Sequence, residues 1–138
     1  MQRILSCVIV GGGPTGVEFA GELCDFLWKD VPRAFPTIEP HDVTVTLLEA
    51  GPTILSAFDS KLISNALRSL KKQGANIRTE STVQCVKEDV IELKSGEKVP
   101  FGTLVWSTGV GPHEVINKSP FEKVSPSTRS PKFFEGSS

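Results

Sequence analysis

Apolar and polar positions follow two different periods along this chain. Ile4 to Val10 (ILSCVIV) is short, apolar and β-branched, which predicts a strand buried on both faces. From Pro14 to Trp28 the spacing turns helical, with Val17, Ala20, Cys24 and Leu27 sharing one face. Pro32, Pro36 and Pro40 then break Lys29 to Asp42 into a predicted loop. Val43 to Leu48 (VTVTLL) predicts a second strand that ends at Glu49. Leu62, Ile63, Ala66, Leu67 and Leu70 form the stripe of a second helix. Asp59 is its predicted N-cap, Lys71 and Lys72 complement its dipole, and Gly74 ends it.

After a short strand at Asn76 to Thr79 the pattern becomes that of a meander. Val83 to Lys87, Val90 to Lys94 and Glu97 to Pro100 read as antiparallel strands, the last two joined through Ser95-Gly96. Leu104 to Ser107 is one more strand and runs into Thr108-Gly109-Val110-Gly111-Pro112. The order is βαβαβ, a β-meander, then a strand. It predicts an α/β fold of Rossmann-like type, a parallel sheet with an added antiparallel meander. Residues 1–112 form the expected domain. Residues 113–138, rich in Ser and Pro, read as a flexible tail.

Composition removes whole classes of function. The chain has 138 residues, a formal net charge of −1 and no long charge block, which argues against electrostatic binding of nucleic acid. No apolar run approaches the ~20 residues of a membrane span, and no targeting signal is visible. Cys7, Cys24 and Cys85 are odd in number and lack a C-x-x-C pair, so each reads as a small buried hydrophobe rather than a disulfide partner or metal ligand. His41 and His113 fall in loops, and no nucleophile–base set is evident, so no catalytic residue is assigned.

The chemistry lies in VIVGGGPTGVEFAGEL, residues 8–23. Gly11, Gly13 and Gly16 make G-x-G-x-x-G between a predicted strand and a predicted helix, the context a dinucleotide cradle requires. Gly11 makes the tight turn, Gly13 lets backbone approach a pyrophosphate, and Gly16 lets helix and strand pack closely. Pro14 opens the helix where a missing N–H is harmless, and Pro14 and Thr15 are expected among the cofactor-binding residues. The free N–H groups and the helix dipole favour an anion there. Glu49, at the end of the second strand, can accept hydrogen bonds from an adenosine ribose and repel a 2′-phosphate, which favours NADH over NADPH. It lies 33 residues past Gly16, farther than the usual spacing, and the proline-rich loop accounts for the excess. Glu18 sits in the expected first helical turn, where the dipole alone favours a carboxylate. Gly21 implies close packing of that helix, and Trp106 reads as core rather than a stacking platform. Thr108 and Gly109 end a strand on the ligand-binding edge, or are simply a turn.

GGGPTGVEFAGEL, VTVTLLEA, ILSAFDSKL and VWSTGVGP, in that order, resemble type II (alternative, non-electrogenic) NADH:quinone oxidoreductases over residues 3–112. The resemblance implies a flavoprotein that passes hydride from NADH to FAD and electrons on to a quinone, at the inner mitochondrial membrane in plants, fungi and protists. This chain matches the inserted NADH domain of that family. The flavin domain and membrane-anchoring segment are absent from it, so the chain is expected to bind NADH without turnover and not to bind FAD alone. Its partners would be the missing FAD domain, in cis or in trans, and through it the quinone. Membrane association would come only through regions outside this sequence. Carried over, Gly11, Gly13 and Gly16 hold the pyrophosphate, Glu49 the ribose and Glu18 the nicotinamide side, while Thr108 and Gly109 form the turn where NADH meets flavin. An inserted domain of this kind is expected to expose an apolar surface where the flavin domain packs. The alternatives are the NAD(P)H-binding domain of another flavoprotein reductase, an FAD-binding Rossmann domain, or a non-catalytic nucleotide-binding module.

Overall fold

The computed structural model describes residues 5–108. Strand β1 (Ser6–Val10) lies at the centre of a parallel sheet, between β2 (Thr44–Leu48) and β7 (Thr103–Trp106). Strand β3 (Asn76–Arg78) adds to β2, giving the order β3-β2-β1-β7. The meander β4 (Val83–Val86), β5 (Val90–Leu93) and β6 (Lys98–Pro100) forms a separate antiparallel sheet. This is the predicted α/β architecture.

Alternation along β1 explains the three layers. Cys7 and Ile9 join a core with Ala20, Cys24 and Leu27 of helix α1 (Pro14–Lys29) and Leu70 of helix α3 (Ser60–Lys72). Val8 and Val10 point the other way, into a core with Leu48 of β2 and Ile91, Leu93 and Val99 of the meander. A strand apolar on both faces is what a central parallel strand requires. Trp28 Nε1 donates to the Gln73 carbonyl at 2.9 Å and Gln73 Nε2 donates to Asp25 at 2.9 Å, fastening α1 to the end of α3. The Lys29 ammonium, hydrogen-bonded to Asp25, holds that carboxyl below its ordinary range. Burial pushes the Cys7 and Cys24 thiols up, so both stay protonated and apolar in character.

Several expectations are corrected. Lys29 to Asp42 is not all loop: a short helix α2 (Val31–Ala34) and a 3-10 turn (Pro40–Asp42) lie within it. Pro32 and Pro40 are tolerated because each sits in the first turn, where an N–H has no partner anyway. Cys85 is only half-buried, with its sulfur 3.5 Å from Glu92 Oε2. Gly21 is not forced by packing, since a Cβ there would meet its nearest neighbours at 3.9 Å. Trp106 is 54% exposed rather than core. Val110 to Pro112, His113 and the 113–138 segment lie outside the described residues.

Phe19, Phe26, Trp28 and Phe35 are also exposed. Phe19 and Phe35 flank a mostly apolar groove of about 320 Å³ between α1, α2 and the edge strand β7, whose walls include Leu23, Val31, Ile38 and Val105.

Candidate functional site

At the carboxyl ends of β1, β2 and β7 the chain opens into a cleft of about 380 Å³. Gly11, Gly13, Glu49 and Thr108 line it, with Gly12, Ala50, Ser81, Thr82, Trp106 and Ser107. A parallel sheet presents its ligand crevice at this edge. Four of the sequence-predicted residues therefore meet at one place.

The glycines differ in what constrains them. Gly11 has φ +116°, a backbone conformation that side chains disfavour, and its N–H donates to the Leu48 carbonyl at 2.8 Å. Gly16 is buried on the sheet-facing side of α1, and a Cβ on it would collide with the Gly11 carbonyl oxygen. Gly13 is exposed, and a Cβ there would meet nothing within 4 Å. The open space at Gly13 fits the approach of a ligand rather than the needs of the fold. Gly13 is the N-cap of α1 and contributes no side-chain cap, while Pro14 takes the first turn as expected. The N–H groups of Thr15 and Gly16 stand in that turn with no carbonyl inside the helix to accept them. They are the donors an anion would use.

Glu49 is half-buried and wired into the cradle. Its Oε2 accepts the Gly12 N–H at 2.6 Å and its Oε1 accepts the Gly51 N–H at 3.0 Å. Each oxygen keeps a lone pair for a further donor such as a ribose hydroxyl. Pro14, Gly13 and Glu49 also border an adjoining hollow of about 260 Å³ with Thr53, Leu55 and Phe58.

Glu18 does not lie in the first turn of α1, which begins at Pro14 and carries no acidic residue. It is exposed, one residue past that turn, and does not line the cleft. Thr15 is exposed at the helix start. Gly109 lies outside the described residues.

Sequence reasoning missed Gly12 and Ser107. A Cβ on Gly12 would lie 2.7 Å from Glu49 Oε2 and 2.9 Å from Ile54, so glycine is required there too. The unbroken Gly11-Gly12-Gly13 run was its signal. The Ser107 hydroxyl lies 3.0 Å from the Val10 carbonyl and 3.2 Å from that of Gly11, latching β7 to the turn. Nothing in a lone Ser after a strand marks that role. Among the described residues no group of His, Cys, Asp and Glu could hold a metal ion, and no helix is long and apolar enough to cross a membrane.

Fold and cleft together define a three-layer Rossmann-type domain whose glycine turn opens at the carboxyl edge of the sheet. Residues 2–123 match the model of the pyridine nucleotide-disulphide oxidoreductase family, and the chain belongs to that family. It is 48% identical over 122 residues to a probable NADH dehydrogenase of Dictyostelium discoideum, covering 88% of this chain and 27% of that protein. It is 47% identical over 122 residues to the mitochondrial internal alternative NAD(P)H-ubiquinone oxidoreductase A1 of Arabidopsis thaliana, covering 88% of this chain and 23% of that one. The solved structure of NDH2 from Plasmodium falciparum in complex with NADH superposes with a TM-score of 0.79 at 26% identity, over 85% of this chain and 25% of the other. The chain thus spans about a quarter of the length of these relatives.

Proposed function

We propose that this chain is the NADH-binding part of an FAD-dependent NADH:quinone oxidoreductase. The observation that carries the proposal is the cradle. Gly13 is left open to the cleft while Gly11, Gly12 and Gly16 are packed too tightly for any side chain. In this reading the Thr15 and Gly16 amides, with that of Gly13, hold the pyrophosphate at the start of α1. Glu49 accepts a hydroxyl of the adenosine ribose with the lone pairs left free by Gly12 and Gly51. Its charge disfavours a 2′-phosphate. The nicotinamide then extends toward Thr108, the end to which the family resemblance also assigns Gly109 and Glu18. Bound NADH supplies a hydride, which in this reaction class passes to a flavin and onward as electrons to quinone. The chain's own residues orient the dinucleotide and set its specificity; none is assigned to bond making or breaking.

The apolar groove beside β7 supports an inserted domain that packs against a flavin domain, in cis or in trans. The mitochondrial relatives support a mitochondrial location, and the proposal puts the working protein at the inner membrane there. Membrane and quinone contacts belong to regions outside residues 5–108. Calorimetric titration with NADH, NADPH and FAD in parallel tests the reading. The expected result is NADH binding, weaker NADPH binding and no FAD binding. Preference for FAD would assign the cradle to a flavin domain and overturn the proposal.

A further inference from the structure

Two successive peptides, those on either side of the Gly12 α-carbon, are held by one loop. Its N–H donates to Glu49 Oε2 at 2.6 Å, and its carbonyl accepts the Leu55 N–H at 2.8 Å. Leu55 makes that bond from a left-handed backbone, φ 51°. Such a conformation is unfavourable for a branched side chain and persists only where the surroundings enforce it. Here they do: Leu55 is 8% exposed in the helix-side core, and its neighbour Ile54 is fully buried. Glu49 closes the loop on itself through the Gly51 N–H at 3.0 Å. Leu55 stands beside the cradle, in the hollow bordered by Gly13 and Pro14.

We infer that Leu55 is a positioning residue for the phosphate cradle. The Glu49 carboxylate holds the Gly11–Gly12 peptide through the Gly12 N–H, and the Leu55 amide holds the next peptide through the Gly12 carbonyl, fixing the plane that carries the Gly13 N–H. The next amides, those of Gly13, Thr15 and Gly16, are thereby set toward the anion. The strained turn at Leu55 aims its N–H at the Gly12 carbonyl, which a loop relaxed to ordinary backbone angles would not do. The inference rests on the dinucleotide reading and adds to it a residue that touches no part of the ligand. A residue of this kind acts on the pyrophosphate and not on the base or sugar.

The test replaces Leu55 by its α-hydroxy acid, leucic acid, which keeps the side chain and replaces the N–H by an ester oxygen; Thr53→Val controls for the weaker ester carbonyl at Ile54, which accepts the Thr53 hydroxyl at 3.0 Å. Titrations use NADH, ADP-ribose and adenosine. NADH and ADP-ribose are expected to weaken about five- to tenfold while adenosine changes by less than about twofold. Equal weakening of all three would mean general damage and overturn the inference. Undiminished NADH binding by the modified chain, with the parent chain binding normally, would also overturn it and leave the dinucleotide reading intact. A parent chain that binds neither NADH nor ADP-ribose would bring down both. A ligand-free measurement stands beside these: amide hydrogen exchange should find Gly12 and Leu55 protected in the parent chain and exposed together in Glu49→Ala. Fast exchange at Gly12 in the parent chain would rule out the grip.

Discussion

The two long helices start in opposite ways. Both begin at the carboxyl edge of the parallel sheet, α1 after β1 and α3 after β2. Helix α1 follows Gly11-Gly12-Gly13 directly, and no side chain caps its first turn. Helix α3 follows the longer loop after Glu49, and Asp59 Oδ1 accepts the Leu62 N–H at 3.0 Å. Burial runs the other way. Gly16, Ala20, Cys24 and Leu27 of α1 are buried, whereas Leu70 is the one buried residue of α3. Most helical stability in a protein comes from the packed face, with a good N-cap adding about 1 kcal/mol. The well-packed helix can leave its amides uncapped and available. The lightly packed one uses its cap for stability.

Four substitutions break or sharpen this contrast. The largest effect belongs to Gly16→Ala, whose methyl collides with the Gly11 carbonyl and falls 2.7 Å from the Ser107 hydroxyl. It should cost about 3 kcal/mol in urea denaturation and abolish NADH binding, because α1 must separate from β1. Gly13→Asp is the sharpest test. The space is open and φ is −75°, so the new carboxylate can cap α1 without strain. NADH affinity should fall at least about tenfold, or 1.4 kcal/mol, by repulsion of the pyrophosphate, while the denaturation midpoint holds or rises. Asp59→Ala should do the reverse, costing about 1 kcal/mol of stability with NADH titration unchanged. If Asp59→Ala weakens NADH and Gly13→Asp does not, the two helix starts have been assigned the wrong way round. The smallest change is Gly21→Ala in mid-α1. With nearest neighbours at 3.9 Å it should add about 0.5–1 kcal/mol, visible as a raised thermal midpoint with no effect on binding.

The same contrast marks what was legible in the sequence. The strands, α1, α3, the meander and the Asp59 cap follow from local signals: apolar period, cap residue, turn glycines. Gly11, Gly13 and Gly16 were legible because the fingerprint encodes a local turn. Gly12 was marked only by the unbroken glycine run, because its need for glycine arises from Glu49 and Ile54, distant in sequence. Trp106 was misjudged because apolar character does not say which end of a strand leaves the core. Its partner residues Leu104 and Val105 pack into the two cores, while Trp106 emerges over the cleft. Gly21 was over-interpreted: a helical glycine suggests a close neighbour, and the nearest atoms leave room for a methyl. The helical turns at Val31 and Pro40 were hidden because proline forbids a long helix but suits the first turn of a short one.

The Ser107 latch also governs when the cradle can exist. Ser107 and Gly11 are 96 positions apart, and β7 contributes its edge of the cleft only after pairing with β1. Closing so long a loop is entropically slow, and folds dominated by such distant pairings assemble late. A chain emerging from a ribosome therefore carries its glycine turn, exposed and unfinished, through the synthesis of nearly everything else described here. The cleft closes late, between a strand and a partner made 96 positions after its glycine turn.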